Sequence, residues 1–369
     1  MATLIAVGDT SPYIEPAESI FDNVTDFLAS ADWRFAQVER TFSARGTFRE
    51  DSQSPNSRVA PHLASAYRSA GFDAVSLASN HSGDWGTDAF LDTVDAFRDL
   101  GIKTAGAGRT IDEAREPVIL EADGVRLAIL AYCSVLLPLY WAGPDRPGVA
   151  PLRAETYYLP YEYQPGTPAQ VRTIPLAEDL AALEQDIRAA KARADFVMVS
   201  CHWGVHFAPR TVPDYERAVA KAAAAAGCDI IFGHGPHMMR GVEVVDGMPC
   251  LHAVGNFVMS KSPSHRSFAA PEGRFSMSDI YSIAVTPDFT YRHSQWGHLG
   301  VAACLDFTKG QPVSVKLRPS TIDDHPRAII LPPDDPRFKE VAEFLAWSSE
   351  PLGGRDHLSV QGDAIVVTR

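Results

Sequence analysis

The chain has 369 residues, 46% hydrophobic and 21% charged, with a net charge of −13. This is a globular composition with ample core, and without a basic run it speaks against a nucleic-acid or anionic-membrane partner. The five cysteines (Cys133, Cys201, Cys228, Cys250, Cys304) are scattered and form no C-x-x-C pair, so neither a disulfide framework nor a zinc knuckle is expected.

The start, MATLIAVGDTS, lacks the basic and long apolar regions of a signal peptide, and no 18-residue apolar span occurs. A reduced, cytoplasmic protein is expected. Residues 3–9 are an apolar run ending in Gly-Asp, which reads as a buried strand delivering Asp9 at its C-terminal end. A helix is expected over 16–30, then a strand over 33–43 carrying Gln37 and Glu39. A helix over 59–71, a strand over 73–79 and a helix over 87–101 follow. Apolar runs split by Asp123-Gly124, and again by Asp246-Gly247, read as hairpins. Between them come a helix over 177–193, a strand over 195–204, a helix over 213–227 and a strand over 229–237. Strands over 299–306 and 312–318 and a final AIVVT strand close the chain. Residues 1–330 read as one domain and 331–369 as a C-terminal helix and strand extension. The mixture of alternating elements and hairpins suits two stacked mixed sheets with helices outside.

Residues 136–170 fit neither period. They are rich in Pro, Gly and Tyr, and Tyr140, Trp141, Tyr157, Tyr158, Tyr161 and Tyr163 argue against disorder. A lid over a substrate is the expectation for this insertion, against a surface loop packed on its own side chains.

Five strand ends carry metal-type ligands: Asp9, Glu39, Asn80-His81, His202 in SCHWG, and His234 with His237 in GHGPH. In α/β sheets ligands bind beyond the carboxyl ends of the strands, so these groups converge on one crevice. Carboxylates, an amide and imidazoles together suit a divalent ion.

In this order Asp9, Glu39, NH, HWG, GHGPH and GNF (255–257) resemble the CapA-like proteins. These are named for poly-γ-glutamate capsule synthesis and are a branch of the calcineurin-like metallophosphoesterases. The resemblance covers about residues 3–260 and implies an α/β fold, the calcineurin-like four-layer α/β/β/α sandwich with mixed sheets. It implies Asp9 and His237 at a first metal position, Glu39 as the bridging acid, and Asn80, His202 and His234 at a second. His81 is implied as an acid or base beside the metal, with Asp84 orienting its ring.

Three departures bear on chemistry. The superfamily's D-x-H is Asp9-Thr10-Ser11 here, NLE is Gln37-Val38-Glu39, and GHHPH has Gly235 in place of a histidine. The first position is short of ligands. One divalent metal is therefore expected, held by Glu39, Asn80, His202 and His234, with Ca, Mn or Mg favoured over Zn and no organic cofactor. Asp9–His237 and His81–Asp84 then form two His–Asp pairs across one crevice, a two-base arrangement for proton transfer. The expected function is a metal-dependent peptide epimerase inverting a Cα, as in a side-branch of CapA-like proteins that acts on C-terminal aromatic residues of ribosomal lasso-peptide precursors. The alternatives are a metal-dependent phosphoester or amide hydrolase, and a non-catalytic binder of an acidic polymer, which a charge of −13 disfavours. The expected partner is a peptide. Trp85 and Trp203 are candidates to stack on it, and Arg40 to clamp its carboxylate. Arg45, Arg240 and Lys261 are weaker clamp candidates, and His293 and His298 are weaker site candidates.

Overall fold

The computed structural model describes residues 1–12, 15–49, 52, 57–162, 164–259 and 296–369. Two sheets form its frame. The first runs, in spatial order, Leu358–Gln361, Ala364–Val367, Ser314–Ile322, Leu299–Phe307, Ala2–Ser11, Trp33–Val38, Ala74–Ser76 and Lys103–Ala105. Asn256–Met259 pairs with the far end of Ala2–Ser11. The second runs Val242–Val245, Met248–Leu251, Ile230–His234, Phe196–His202, Val125–Cys133 and Val118–Ala122. Both are mixed: the first is parallel from Ala2–Ser11 out to Lys103–Ala105 and antiparallel on its other side, and the second is parallel at its centre with an antiparallel hairpin at each margin.

The central strands are apolar on both faces because both faces are covered. Phe196–His202 is buried at every position. Its alternate residues Phe196 and Met198 point into the core between the sheets, while Val197 and Val199 point out towards the helices. Phe35 meets Phe232 edge-on across the sheets at 6.1 Å, and Phe196 meets Phe307 at 5.1 Å. Helices Ala177–Lys191 and Asp214–Ala226 cover the outer face of the second sheet through Leu183, Ile187, Val219 and Ala223. Helix Gly86–Asp99 covers the first through Phe90, Val94 and Phe97. The architecture is a layered α/β/β/α sandwich.

Both hairpin turns fall where Asp-Gly stands. Asp123 and Gly124 have φ of 50° and 71°, and Asp246 and Gly247 have 50° and 82°, the paired left-handed turn that matches strand twist. Several boundaries differ from the sequence expectation. The strand over 33–43 stops at Val38, and Thr41–Phe42 is a separate short strand, because Glu39 and Arg40 leave the sheet at the crevice. The strand over 73–79 ends at Ser76, and the helices over 16–30 and 59–71 each begin as a 3-10 segment, of eight and four residues, and end in an α-helical segment of five. Residues 331–369 do not stand apart. Helix Pro336–Ser349 packs Val341 and Leu345 into the core, and Ala364–Val367 pairs with Ser314–Ile322. Residues 136–170 contribute a short turn at Pro138–Tyr140, of which only Tyr140 is buried, and the first strand of an antiparallel ribbon, Ala154–Leu159 with Gln170–Pro175. Among the described residues no helix is long and apolar enough to cross a membrane.

Candidate metal centre

The strand register assembles the site. Parallel pairing sets His202 opposite His234, and strands lie about 4.8 Å apart, so two imidazoles on the same pleat face must meet. Their Nδ1 atoms are 3.2 Å apart. Asp9 arrives from the first sheet, with Oδ1 3.9 Å from His202 Nδ1 and 3.8 Å from His234 Nδ1. A triangle with these three sides has its centre about 2.1 Å from each corner, a normal metal–nitrogen or metal–oxygen distance. Asp9 Oδ1 is buried and accepts no hydrogen bond among the described residues. His234 is oriented from behind by Ser200 Oγ, 2.7 Å from Nε2. Two nitrogens and a carboxylate oxygen, closely spaced and screened from water, fit a divalent cation.

A second group shares Asp9. Asp9, Glu39 and His237 bring one ligand atom each within 4.8 Å of one another. His237 Nε2 lies 3.1 Å from Glu39 Oε1, and its Nδ1 is 3.7 Å from Asp9 Oδ2 and 3.0 Å from Asn256 Oδ1. His237 sits at φ 59°, a left-handed conformation uncommon for a residue with a side chain, and the strain marks a position that its surroundings over-determine. Gly235, at φ 103°, donates its N–H to Asp9 Oδ2 at 3.0 Å. A Cβ at 235 would stand 3.0 Å from the His202 ring, so this glycine is what lets the loop close on the histidine pair.

Charge divides the two groups. Burial pushes His234 down to about 3 and His202 well below the usual imidazole value, the neighbouring His234 adding to the effect. Burial also opposes a charge on His237, but Glu39 and Asp9 outweigh it and hold this imidazolium up to about 9. Burial raises Asp9 to about 8, with Glu39 contributing. Glu39 goes the other way: burial resists, but His237, then His81 and His202, hold it well below the carboxylate range.

His81 and Asp84 form the third part. His81 Nδ1 is 2.7 Å from Asp84 Oδ2, and Asp84 is 2% exposed. Asn80 Nδ2 stands 3.5 Å from His81 Nε2. The four-ligand set expected from the sequence named Glu39 and Asn80 with His202 and His234. Among the His, Cys, Asp and Glu side chains described, ligand atoms gather in two groups, Asp9 with His202 and His234, and Asp9 with Glu39 and His237.

The expected substrate contacts fare differently. Trp203 is 0% exposed, its Nε1 donates to His252 O at 2.7 Å, and its ring stacks on His252. It cannot stack on a substrate. Trp85 is covered by the Arg58 guanidinium, 3.8 Å above its ring, and by Phe48. Arg40 is buried and donates to Ser11, the residue in the place of the superfamily histidine. Arg45 pairs with Asp92 on the surface, and Arg240 is buried and donates to Val205 O. The carbonyl of His298 is tied to Thr321 and Ile322. Tyr163, Lys261 and His293 lie outside the described residues.

Three participants escaped the sequence reading. His206 faces His237 with ring centroids 5.4 Å apart, and burial followed by His237 lowers it to about 3. Its position four residues beyond His202 was the available signal. Asn256 fixes the His237 ring. Tyr140 donates to Asp84 Oδ1 at 2.9 Å, and no local pattern could have shown that contact.

Known proteins supply the relatives of this chain. It is 26% identical over 281 residues to the PGA biosynthesis protein CapA of Bacillus subtilis (strain 168), covering 73% of this chain and 67% of that protein. It is 25% identical over 244 residues to the capsule biosynthesis protein CapA of Bacillus anthracis, covering 66% and 54%. The chain thus spans about two thirds of the first relative's length and about half of the second's. A hypothetical protein from Thermus thermophilus is similar in structure, with 17% identity and a TM-score of 0.48 over 86% of this chain and 98% of that one. The model of the family described as bacterial capsule synthesis protein PGA_cap matches residues 3–261, well over half of the chain, and the chain belongs to that family.

Proposed function

We propose that the chain is a cytoplasmic, metal-dependent peptide epimerase that inverts a Cα, at a C-terminal aromatic residue of a ribosomal precursor, by two-base proton transfer. The observation that carries this reading is the pair of carboxylate-held histidines, His237 on Glu39 and His81 on Asp84, beside the ligand group of Asp9, His202 and His234.

Asp9, His202 and His234 are the residues to hold the ion, and two imidazoles with one carboxylate suit Mn or Zn better than the Ca or Mg expected of the Glu39–Asn80 set. When bound, a divalent ion supplies positive charge that lowers the cost of negative charge on the substrate carbonyl. The protein's own groups handle the protons. His81 donates Nδ1–H to Asp84, which leaves Nε2 with a lone pair and makes it the base. His81 takes the Cα proton, and the C–H electron pair passes into the adjacent carbonyl. His237, held protonated by Glu39 and Asp9, gives up its Nε2–H···Glu39 hydrogen bond and delivers that proton to the opposite face of Cα. The C–H bond re-forms there with inverted configuration. His81 is left protonated and His237 neutral, and exchange with water resets both.

A second reading is a metal-dependent hydrolase of an amide or phosphoester, in keeping with relatives named for PGA biosynthesis. The sharing of Asp9 between two ligand groups favours it, because a bridging carboxylate is what a two-ion hydrolase needs. Incubation with peptides ending in an aromatic residue in heavy water, followed by mass spectrometry, separates the readings. A one-unit gain at Cα, at constant length and abolished by a chelator, supports the epimerase. A shortened peptide supports the hydrolase. Unchanged mass with every such peptide refutes the epimerase.

A further inference from the structure

Behind the His202–His234 pair lies a buried charged cluster that the proton-transfer scheme does not use. His252 and Glu216 are both buried. His252 Nδ1 is 3.0 Å from Glu216 Oε2, and its Nε2 is 3.3 Å from Glu243 Oε2. Arg217 closes the cluster, with Nη2 2.7 Å from Glu243 Oε1. Burial opposes a charge on the His252 imidazole, but Cys250, Glu216 and Glu243 outweigh it and hold it well above the usual value. Three elements are tied together in this way. Helix Asp214–Ala226 gives Glu216 and Arg217, strand Val242–Val245 gives Glu243, and His252 follows strand Met248–Leu251. The main chain of His252 then meets the neighbour of each histidine in the pair. Beside His202, Trp203 donates Nε1–H to His252 O at 2.7 Å, and the two rings stack with centroids 5.9 Å apart. The backbone N–H of Trp203 also donates to His234 O at 3.0 Å. Beside His234, Gly233 lies so close that a Cβ there would stand 2.1 Å from His252 O.

We propose that His252 is a positioning residue for the metal site: anchored by Glu216 and Glu243, it holds Trp203 and Gly233 from behind and so fixes His202 and His234 with their Nδ1 atoms 3.2 Å apart. The proposal rests on the reading of that pair as metal ligands. The two histidines differ in what else holds them. His234 has Ser200 Oγ on its Nε2, whereas His202 Nε2 is buried with no hydrogen-bond partner among the described residues. No side chain behind His202 orients its ring, so its placement depends on how the adjoining Trp203 is held. Well-packed apolar side chains often match a buried ion network in stability, so what this network adds is fixed geometry.

The test is manganese binding by the chelator-stripped full chain, measured by isothermal titration calorimetry beside denaturant unfolding. Trp203→Phe keeps an aromatic ring and removes the N–H that reaches His252 O. His252→Gln keeps a group able to hydrogen-bond Glu216 and removes the charge and the stacked ring. Each is expected to weaken manganese binding about tenfold. Together they should weaken it no more than the stronger one alone, because both act through one contact. Phe196→Leu is the control, since Phe196 lies on the strand of His202 but packs on Phe307. It should lower stability and leave manganese affinity within about twofold. Unchanged affinity in Trp203→Phe overturns the proposal, whether or not His252→Gln folds. Additive effects of the two substitutions overturn it, and so does an equal loss of affinity in Phe196→Leu. A native chain that takes up no manganese refutes the metal reading and this proposal with it, whereas native binding that the variants match refutes the proposal alone.

Discussion

His202 with His234 and His237 lie buried around one carboxylate, Asp9, yet they take opposite charges. The first two face each other at 3.2 Å, with burial and mutual proximity driving protons off both. His237 has Glu39 at 3.1 Å and Asp9 at 3.7 Å, and keeps its proton to about 9. Burial is the same on both sides. What differs is the partner: imidazole against imidazole leaves two lone pairs seeking a cation, while imidazole against carboxylate supplies its own. Each side offers three ligand atoms within 4.8 Å of one another, but the histidine pair gives up its protons readily while His237 holds its own.

The strongest way to break this division is to remove the metal side. His202→Ala should lower divalent-metal affinity by more than about 100-fold and empty the protein on dialysis, as read by metal analysis. His81→Ala lies outside both halves. It should keep the metal and lose turnover by about 10²–10⁴-fold, the usual contribution of a positioned acid or base. If His81→Ala also emptied the site, the separation of base from ligand would be wrong.

Glu39→Gln attacks the proton-carrying side. The folded-state value of His237 is raised above the ordinary 6.5, so its contribution to stability is complete below 6.5 and is lost as pH rises through about 9. In chelator, thermal stability of the native chain should fall across that window by a contribution on the order of 3 kcal/mol. Glu39→Gln should flatten the fall. An unchanged pH profile would mean that Glu39 does not hold the proton on His237.

Smaller changes sharpen the picture. Gly235→Ala places a methyl 3.0 Å from the His202 ring at φ 103°. It should cost about 1–3 kcal/mol in denaturant unfolding and weaken metal binding in step. Tyr140→Phe removes one hydrogen bond to Asp84. It should cost about 1 kcal/mol, with metal content unchanged and turnover reduced only several-fold.

Much of this was legible because apolar runs end where chemistry begins. Asp9, His202 and His234 each close a buried strand, and the carboxyl-end rule brings them together. The division of labour was less legible. Asp9 and Glu39 are both acids after apolar runs, and only the three-dimensional placement shows that Asp9 serves the histidine pair. Trp203 could have been read correctly from parity: if His202 faces the crevice with Ser200, residue 203 faces the helix layer, where its ring packs. Tyr140 could not, because its partner Asp84 is 56 residues away and no periodicity links them. The ribbon was missed because TYYL is apolar without alternation, and the expected lid supplied a ready use for its aromatics.

The most direct test of the account is the number and position of ions in the metal-loaded protein, by metal analysis and anomalous diffraction. The account predicts one ion per chain, between Asp9, His202 and His234, with His237 still bonded to Glu39. Two ions per chain, the second between Asp9, Glu39 and His237, would contradict it and restore the two-metal hydrolase.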